Sequence, residues 1–247
     1  MAKRYTQQEG LDYHETFSPI AKMVTIRTLI SIAASKNWPL YQMDRKYTLE
    51  LISDVGLSGV KPVNTPLEVN AKFTTMDYDE HVGGITDHIL PDATPYQKLI
   101  GKLLYLTITR PDISFVVQVL SQFMQQPKTS HWEAAFRLVR YLKGSPGQGI
   151  LLKNSPCTEL TAFCDSDWAA CPNTRRSVTG YIIKLGDSII SWKSKKQHTV
   201  SRSSTEAEYR SMAVAVSEVI WITGLLRELN VPVTTPVKLF CDSKAAI

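Results

Sequence analysis

Three carboxylates stand where acids can hold a cation. Asp165 and Asp242 each close an apolar run, and both sit in the string Cys-Asp-Ser (164–166 and 241–243). If the two runs are parallel neighbouring strands, both acids emerge at one sheet edge. In open α/β sheets that edge is where ligands bind. The third acid lies on a helix, and the helical period selects it. Steps of three and four from Glu208 reach Met212, Ala215, Val219, Ile222, Leu226 and Leu229, all apolar. The same steps from Glu206 reach Arg210, Ala213 and Ser217, a mostly solvated face. Glu208 therefore belongs to a buried stripe, where a lone carboxylate costs several kcal/mol or takes up a proton.

A cation relieves that cost. Two Asp and one Glu are hard oxygen ligands that suit Mg²⁺ or Mn²⁺. Acids holding two such ions cleave phosphodiesters, one ion activating water and the other steadying the leaving oxygen. Singly, each acid is also what a turn or a helix dipole uses; the three together favour a site. Asp167 reads as a turn residue before Trp168. Cys164 and Cys241 alternate with the site acids, so they are expected on the opposite face as small buried residues.

The elements that position these acids follow from the pattern. Leu160 to Asp165 reads as a strand. Val178 to Leu185 reads as a second, turning at Gly186-Asp187 into a third, Ile189 to Lys193. A long helix from Ser204 to Leu229 stops before Pro232, and Val237 to Asp242 is a fourth strand. The crossover helix makes the fourth strand parallel to a partner, so the fold class is α/β (α+β) with a mixed sheet. Ahead of it, a mostly helical region carries the stripe Tyr96, Leu99, Ile100, Leu103 and Leu106. A helix opened by Pro111 follows, with Ile113, Val116, Val117, Leu120 and Met124. Ser130-His131-Trp132-Glu133 reads as a capping box for a third helix, carrying Trp132, Phe136, Val139 and Leu142 and ending at Gly144. Residues 60–95, with several Pro and Gly, read as a loop or linker. Near the N-terminus Ile26, Leu29, Ile30 and Ala33 share a helical face. Leu40 to Asp44 reads as a short strand ending in a carboxylate.

Composition narrows the class. With 247 residues, 43% hydrophobic and 21% charged, the chain can bury a sizeable core and is neither disordered nor fibrous. No apolar run approaches the ~20 residues of a membrane span, and the polar N-terminus is not a secretory signal. Four Cys without a Cys-x-x-Cys pair point to a reducing intracellular compartment, cytoplasm or nucleus. The net charge of +5 permits a polyanionic partner. Arg175, Arg176, Lys193, Lys195, Lys196 and Arg202 group around the acids, with Trp168, Tyr181 and Trp192 interleaved. These suit phosphates and sugars, or else form a solvated basic rim with aromatics in the core. His198 reads as a surface loop residue.

Longer strings carry a resemblance. Phe163-Cys164-Asp165-Ser166-Asp167-Trp168-Ala169, Thr174 to Tyr181, Ser191 to Gln197 and Ser201 to Tyr209 resemble the RNase H domain of Copia-type retrotransposon polyproteins. Tyr96 to Leu106 and Thr109-Arg110-Pro111-Asp112-Ile113 resemble the segment joining polymerase to RNase H. Gly10 to Pro19 resembles the start of the reverse transcriptase. The resemblance implies an RNase H-like mixed sheet, preceded by a helical connection segment and a reverse-transcriptase fragment. The division is 1–44, 45–152 and 153–247. It implies metal-dependent hydrolysis of RNA in RNA–DNA hybrids. Asp165, Glu208 and Asp242 would be the ligands of Mg²⁺ or Mn²⁺, and the six basic residues above would meet the nucleic acid. Its partners are such a hybrid or other nucleic acid and the remainder of the Pol polyprotein, with no membrane. A fourth carboxylate is expected beyond Ile247, so the rival is a catalytically dead nucleic-acid- or protein-binding remnant. Asp44 matches the first catalytic Asp of the polymerase. The run after it, Arg45-Lys46-Tyr47-Thr48-Leu49-Glu50, does not continue that motif, and the chain has no Asp-Asp dipeptide. No polymerase activity is expected.

Overall fold

The structure, a computed structural model, describes residues 22–36, 44–83, 87–153 and 159–243. The string 10–19 and residues 40–43 lie outside it.

The chain folds as helices followed by a four-stranded sheet. The helices are α1 (Met23–Ser35), α2 (Asp44–Asp54), α3 (Met76–Val82), α4 (Thr94–Leu106), α5 (Ser114–Leu120) and α6 (Thr129–Gly144). The sheet is formed by β1 (Leu160–Asp167), β2 (Val178–Leu185), β3 (Ser188–Lys196) and β4 (Lys238–Cys241), with α7 (Ser204–Glu228) crossing between β3 and β4. Two apolar clusters result. One joins α2, α4, α5 and α6; the other lies between the sheet and α7.

In the helical cluster α4 buries Tyr96, Leu99, Ile100, Leu103 and Leu106, as its period requires. Pro111 opens a 3₁₀ turn, Pro111–Ile113, that leads into α5. Pro there loses no hydrogen bond, because the first N–H groups of a helix have no partner within it. Two expectations need correction. α6 starts earlier than Ser130: the Lys128 N–H donates to His131 Nδ1 at 3.0 Å, capping the helix from Lys128. Ser130 instead donates its hydroxyl to Asp87. The stretch read as linker also contains α3, whose N-cap Thr75 accepts from the Tyr78 N–H.

Two buried cations hold this part together. Arg110, 1% exposed, grips the Asp112 carboxylate with Nε and Nη2 at 2.9 and 2.7 Å and donates to the Ser145 carbonyl. Lys128 pairs with Asp79, with Asp87 at 3.3 Å and with Thr74 Oγ1 at 3.1 Å. A charge taken out of water needs this satisfaction.

Two further readings change at the N-terminal end. Asp44 does not close a strand; it opens α2, where Thr48, Leu51 and Ile52 are buried at helical spacing. α1 turns a different face inward. It buries Arg27, Thr28, Ser31 and Ala34, while Ile26 and Leu29 are exposed. The reason is tertiary: Arg27 Nη2 donates to the Ile108 carbonyl at 2.6 Å, and the guanidinium lies 3.6 Å from the Trp192 ring centre on β3.

The sheet order is β3-β2-β1-β4, with β1–β2 and β2–β3 antiparallel and β1–β4 parallel. Gly186, in the left-handed region at φ 57°, makes the tight β2–β3 turn. α7 is long and apolar enough to cross a membrane by length and composition. Here it is the crossover helix, laying Ala207, Ala215, Ile222 and Leu226 on the sheet.

Candidate functional site

The parallel pairing sets the site. β1 and β4 align Cys164 with Cys241, so the residues that follow, Asp165 and Asp242, arrive at the same edge. α7 begins above that edge. Its N-cap Ser203 accepts from the Glu206 N–H at 3.2 Å, and Glu206 Oε2 accepts from the Arg202 N–H at 2.7 Å. Glu206 also pairs with Arg210 at 2.7 Å. Capping thus uses Glu206 and leaves Glu208, two residues on and about half a turn round the helix, facing the sheet at 6% exposure. Period alone selects the same residue.

Glu208 is unusual for a buried acid. Burial pushes its carboxyl up, and the charges of Asp165 and Asp242 push it further in that direction. The Cys241 thiol donates to it across 3.6 Å. The donor atoms of Glu208, Cys241 and Asp242 all lie within 4.8 Å of one another, a spacing that could hold a metal ion. Two carboxylates suit a divalent cation, so the residues fit the ion that the resemblance implies.

Two readings shift here. Cys241 does not point away from the acids. Even-numbered residues of β1 (Leu160, Ala162, Cys164) pack under α7, and Cys241 shares their face. Asp165 lies on the other face with Phe163 and Asp167, exposed, and lines a cavity of about 320 Å³ with Ser114, Phe115 and Gly180. It is not in the set within 4.8 Å, although its charge reaches Glu208. Asp167 is the last residue of β1 rather than a turn residue. Burial and the Asp165 charge push its carboxyl up.

Sequence reasoning missed the polar hub behind these acids. Gln197 is buried, and its amide nitrogen shares its two hydrogens among Ser166 Oγ at 3.3 Å, Thr179 Oγ1 at 3.1 Å and the Ala207 carbonyl at 3.0 Å. One side chain thus ties β1, β2 and the first turn of α7. Ser211 of α7 adds a 2.7 Å bond to the Asp165 carbonyl. The only advance signal was a polar residue between the third strand and the long helix.

The basic residues separate into groups. Lys193, Lys195, Lys196 and Arg210 line a cleft of about 330 Å³ with Thr179, Gln197 and His198. Lys196 also bonds Gln122 and faces the Cys171 sulfur at 3.8 Å. Arg175 and Arg202 are exposed and Arg176 is half-buried. Of the aromatics, Tyr181 is buried, and Trp192 is tied to the Thr107 carbonyl at 3.0 Å. Trp168 is 47% exposed.

The fold and site thus define a mixed α/β protein with an acidic sheet edge and a basic cleft. Its relatives identify the family. It is 44% identical over 207 residues to the retrovirus-related Pol polyprotein from transposon RE2 of Arabidopsis thaliana, and 42% identical to that from transposon RE1. Each match covers 84% of this chain and 14% of the polyprotein. It is also 39% identical to the uncharacterized mitochondrial protein AtMg00810 of the same plant, over 74% of this chain and 72% of that protein. No family model and no solved structure matches. The chain belongs to the Copia-type retrotransposon Pol family, and spans about one seventh of the length of those polyproteins.

Proposed function

We propose that the β1–β4 sheet with α7 is an RNase H-like domain that binds RNA–DNA hybrid and hydrolyses its RNA strand with a divalent cation. The observation that carries this reading is Glu208. It is a carboxylate at 6% exposure, set beside Asp242 and in the field of Asp165, with a thiol as its side-chain partner. Such an acid is stable when a cation joins it. Glu208 and Asp242 would hold the ion, with Asp165 completing the acidic edge. Bound Mg²⁺ or Mn²⁺ supplies an activated water and charge for the leaving oxygen. Lys193, Lys195 and Arg210 present positive charge to backbone phosphates, while the acidic edge repels them except through the ion. Recognition then rests on backbone shape and 2′-OH groups rather than on base sequence. Polymerase chemistry is not proposed, because the one acid matched to it, Asp44, begins a helix.

A second reading is a fold that binds hybrid without cutting it. It is favoured by the placement of Asp165 outside the set within 4.8 Å. End-labelled RNA–DNA hybrid, incubated with the purified chain and Mg²⁺ or Mn²⁺, separates the two. Hydrolysis predicts RNA-strand cleavage that Glu208→Gln abolishes while hybrid binding persists. Binding without cleavage by the wild type leaves the second reading. Neither binding nor cleavage removes both.

A further inference from the structure

The face of α7 turned away from the sheet is apolar, and no other element covers it among the described residues. Tyr209, Val216 and Ile220 are 54%, 41% and 67% exposed, and Ala213 and Ser217 lie exposed between them. Steps of three and four run from Tyr209 through Ala213, Val216 and Ile220 to Gly224. One step further at each end stands a charge, Glu206 before Tyr209 and Arg227 after Gly224. The stripe runs about six turns along the helix, opposite the Ala215, Ile222 and Leu226 face that packs on the sheet. A helix on a single core keeps polar residues on its outer side. An uncharged apolar stripe there marks an interaction surface.

The order of residues along the stripe names the partner. Positions equally far from the midpoint between Val216 and Ser217 complement each other. Tyr209, the largest, mirrors Gly224; Ile220 mirrors Ala213; Glu206 mirrors Arg227. In a two-fold pair residue i of one copy meets j of the other, and j meets i. We propose that α7 is a self-association surface on which two copies of this chain pair their α7 helices antiparallel about that midpoint. A Cβ built on Gly224 meets nothing within 4 Å, so the space above it is open to the Tyr209 ring of the second copy. Arg227 is exposed and enters no ion pair among the described residues. Glu206 already holds the Arg202 N–H and Arg210, but an ionised carboxylate has about four acceptor sites and takes Arg227 of the second copy as well. A parallel pair would instead set Glu206 against Glu206 and Arg227 against Arg227. Apolar burial drives the pairing, while the two end contacts, each weak at a surface, fix direction and register. One helix face is a small interface, so association is reversible, with a Kd on the order of micromolar. The pairing does not depend on whether the sheet edge cuts hybrid.

Sedimentation velocity of the full chain over a concentration series reads the pairing, and a reversible monomer–dimer equilibrium is expected. Ile220→Asp sets a charge against Ala213 of the second copy, and Gly224→Leu fills the space that its Tyr209 needs. Ile220 is exposed and Gly224 is open above, so a single copy tolerates both, which thermal melts verify. Each should weaken the dimer roughly tenfold or more, because every substitution acts twice across the two-fold axis. Gly224→Leu combined with Tyr209→Ala exchanges the large and small partners and should recover most of the loss. A chain that stays monomeric at every concentration, as when another segment of the polyprotein covers the stripe, overturns the proposal. So does a dimer indifferent to Ile220→Asp and Gly224→Leu, which forms elsewhere on the molecule. A double variant no better than Gly224→Leu alone overturns it too, since Tyr209 and Gly224 then do not meet.

Discussion

Cys164 and Cys241 stand opposite each other in the parallel register of β1 and β4. That single pairing delivers Asp165 and Asp242 to one sheet edge, and α7 adds Glu208 from the face on which the two cysteines lie. The edge therefore concentrates negative charge without a basic side chain among the groups acting on Glu208.

This arrangement sets a pH dependence for the metal-free protein. Burial, then Asp165 and Asp242, hold the Glu208 carboxyl above the usual glutamate range. The folded state thus binds the proton more tightly than the unfolded state. Stability falls as pH rises from the ordinary glutamate value through the raised one, and is level above it. Glu208→Gln should flatten this decline and be more stable than the wild type at neutral pH, where the buried carboxylate is charged. Urea melts across that window decide it; an unchanged slope in the variant would mean another group is responsible.

The helical part makes the opposite prediction in acid. Burial opposes ionisation of Asp79 and Asp87. For Asp79, bonds to Lys128 and Thr74 outweigh it; for Asp87, bonds to Ser130 and Lys128 do. Both carboxyls sit below the usual range. Their contribution is present above the unfolded-state value and is lost as pH falls through the lowered ones. Lys128→Met leaves two acids facing each other and should cost about 3–5 kcal/mol. Adding Asp79→Asn and Asp87→Asn should recover most of it. A triple variant as unstable as the single one would show that the loss came from packing.

What the sequence made legible was what a strong period carries. The α4 stripe, the β2–β3 hairpin, the parallel fourth strand and the inward turn of Glu208 all follow from spacing. What it hid depends on neighbours distant in sequence. The inner face of α1 is polar because Arg27 meets Trp192 and Ile108, far along the chain. Lys128 takes over the cap of α6 because His131 folds back onto its N–H. Cys241 joins the acids because α7 covers the cysteine face, and alternation along a strand cannot say which face a helix will cover. Gln197 matters only once β1, β2 and α7 converge on it.

The cleft beside β3 should read phosphates through charge alone. Lys195 is exposed and Arg210 is braced by Glu206. Each contact that neutralises a phosphate adds close to one unit to the slope of log affinity against log salt. Lys195→Ala should weaken hybrid binding alike for all sequences and reduce that slope by about one unit. Fluorescence anisotropy at several salt concentrations measures both. An unchanged slope would place the hybrid elsewhere on the protein.

The last prediction concerns the seam between α1 and the sheet. The Arg27 guanidinium lies 3.6 Å from the Trp192 ring centre, while Nη2 reaches the Ile108 carbonyl at 2.6 Å and Trp192 Nε1 donates to the neighbouring Thr107 carbonyl at 3.0 Å. Burial pulls the Arg27 pKa down to about 10, so it is still charged at neutral pH. A desolvated cation over an indole is worth about 2 kcal/mol, and a charged hydrogen bond about 1.5–3 kcal/mol. Met23, Ile26 and Leu29 face solvent, so α1 is held by this seam together with Val24 and Ile32, which pack on the sheet core. Arg27→Ala should therefore free α1 by about 2–4 kcal/mol while β1 and β2 remain protected. Arg27→Lys keeps the cation but loses the planar stack and fork, and should fall between. Hydrogen exchange resolved by segment reads this out, with amides of α1 accelerating well before those of the central strands. If both segments accelerate together, α1 is part of the cooperative core and the seam is not its anchor.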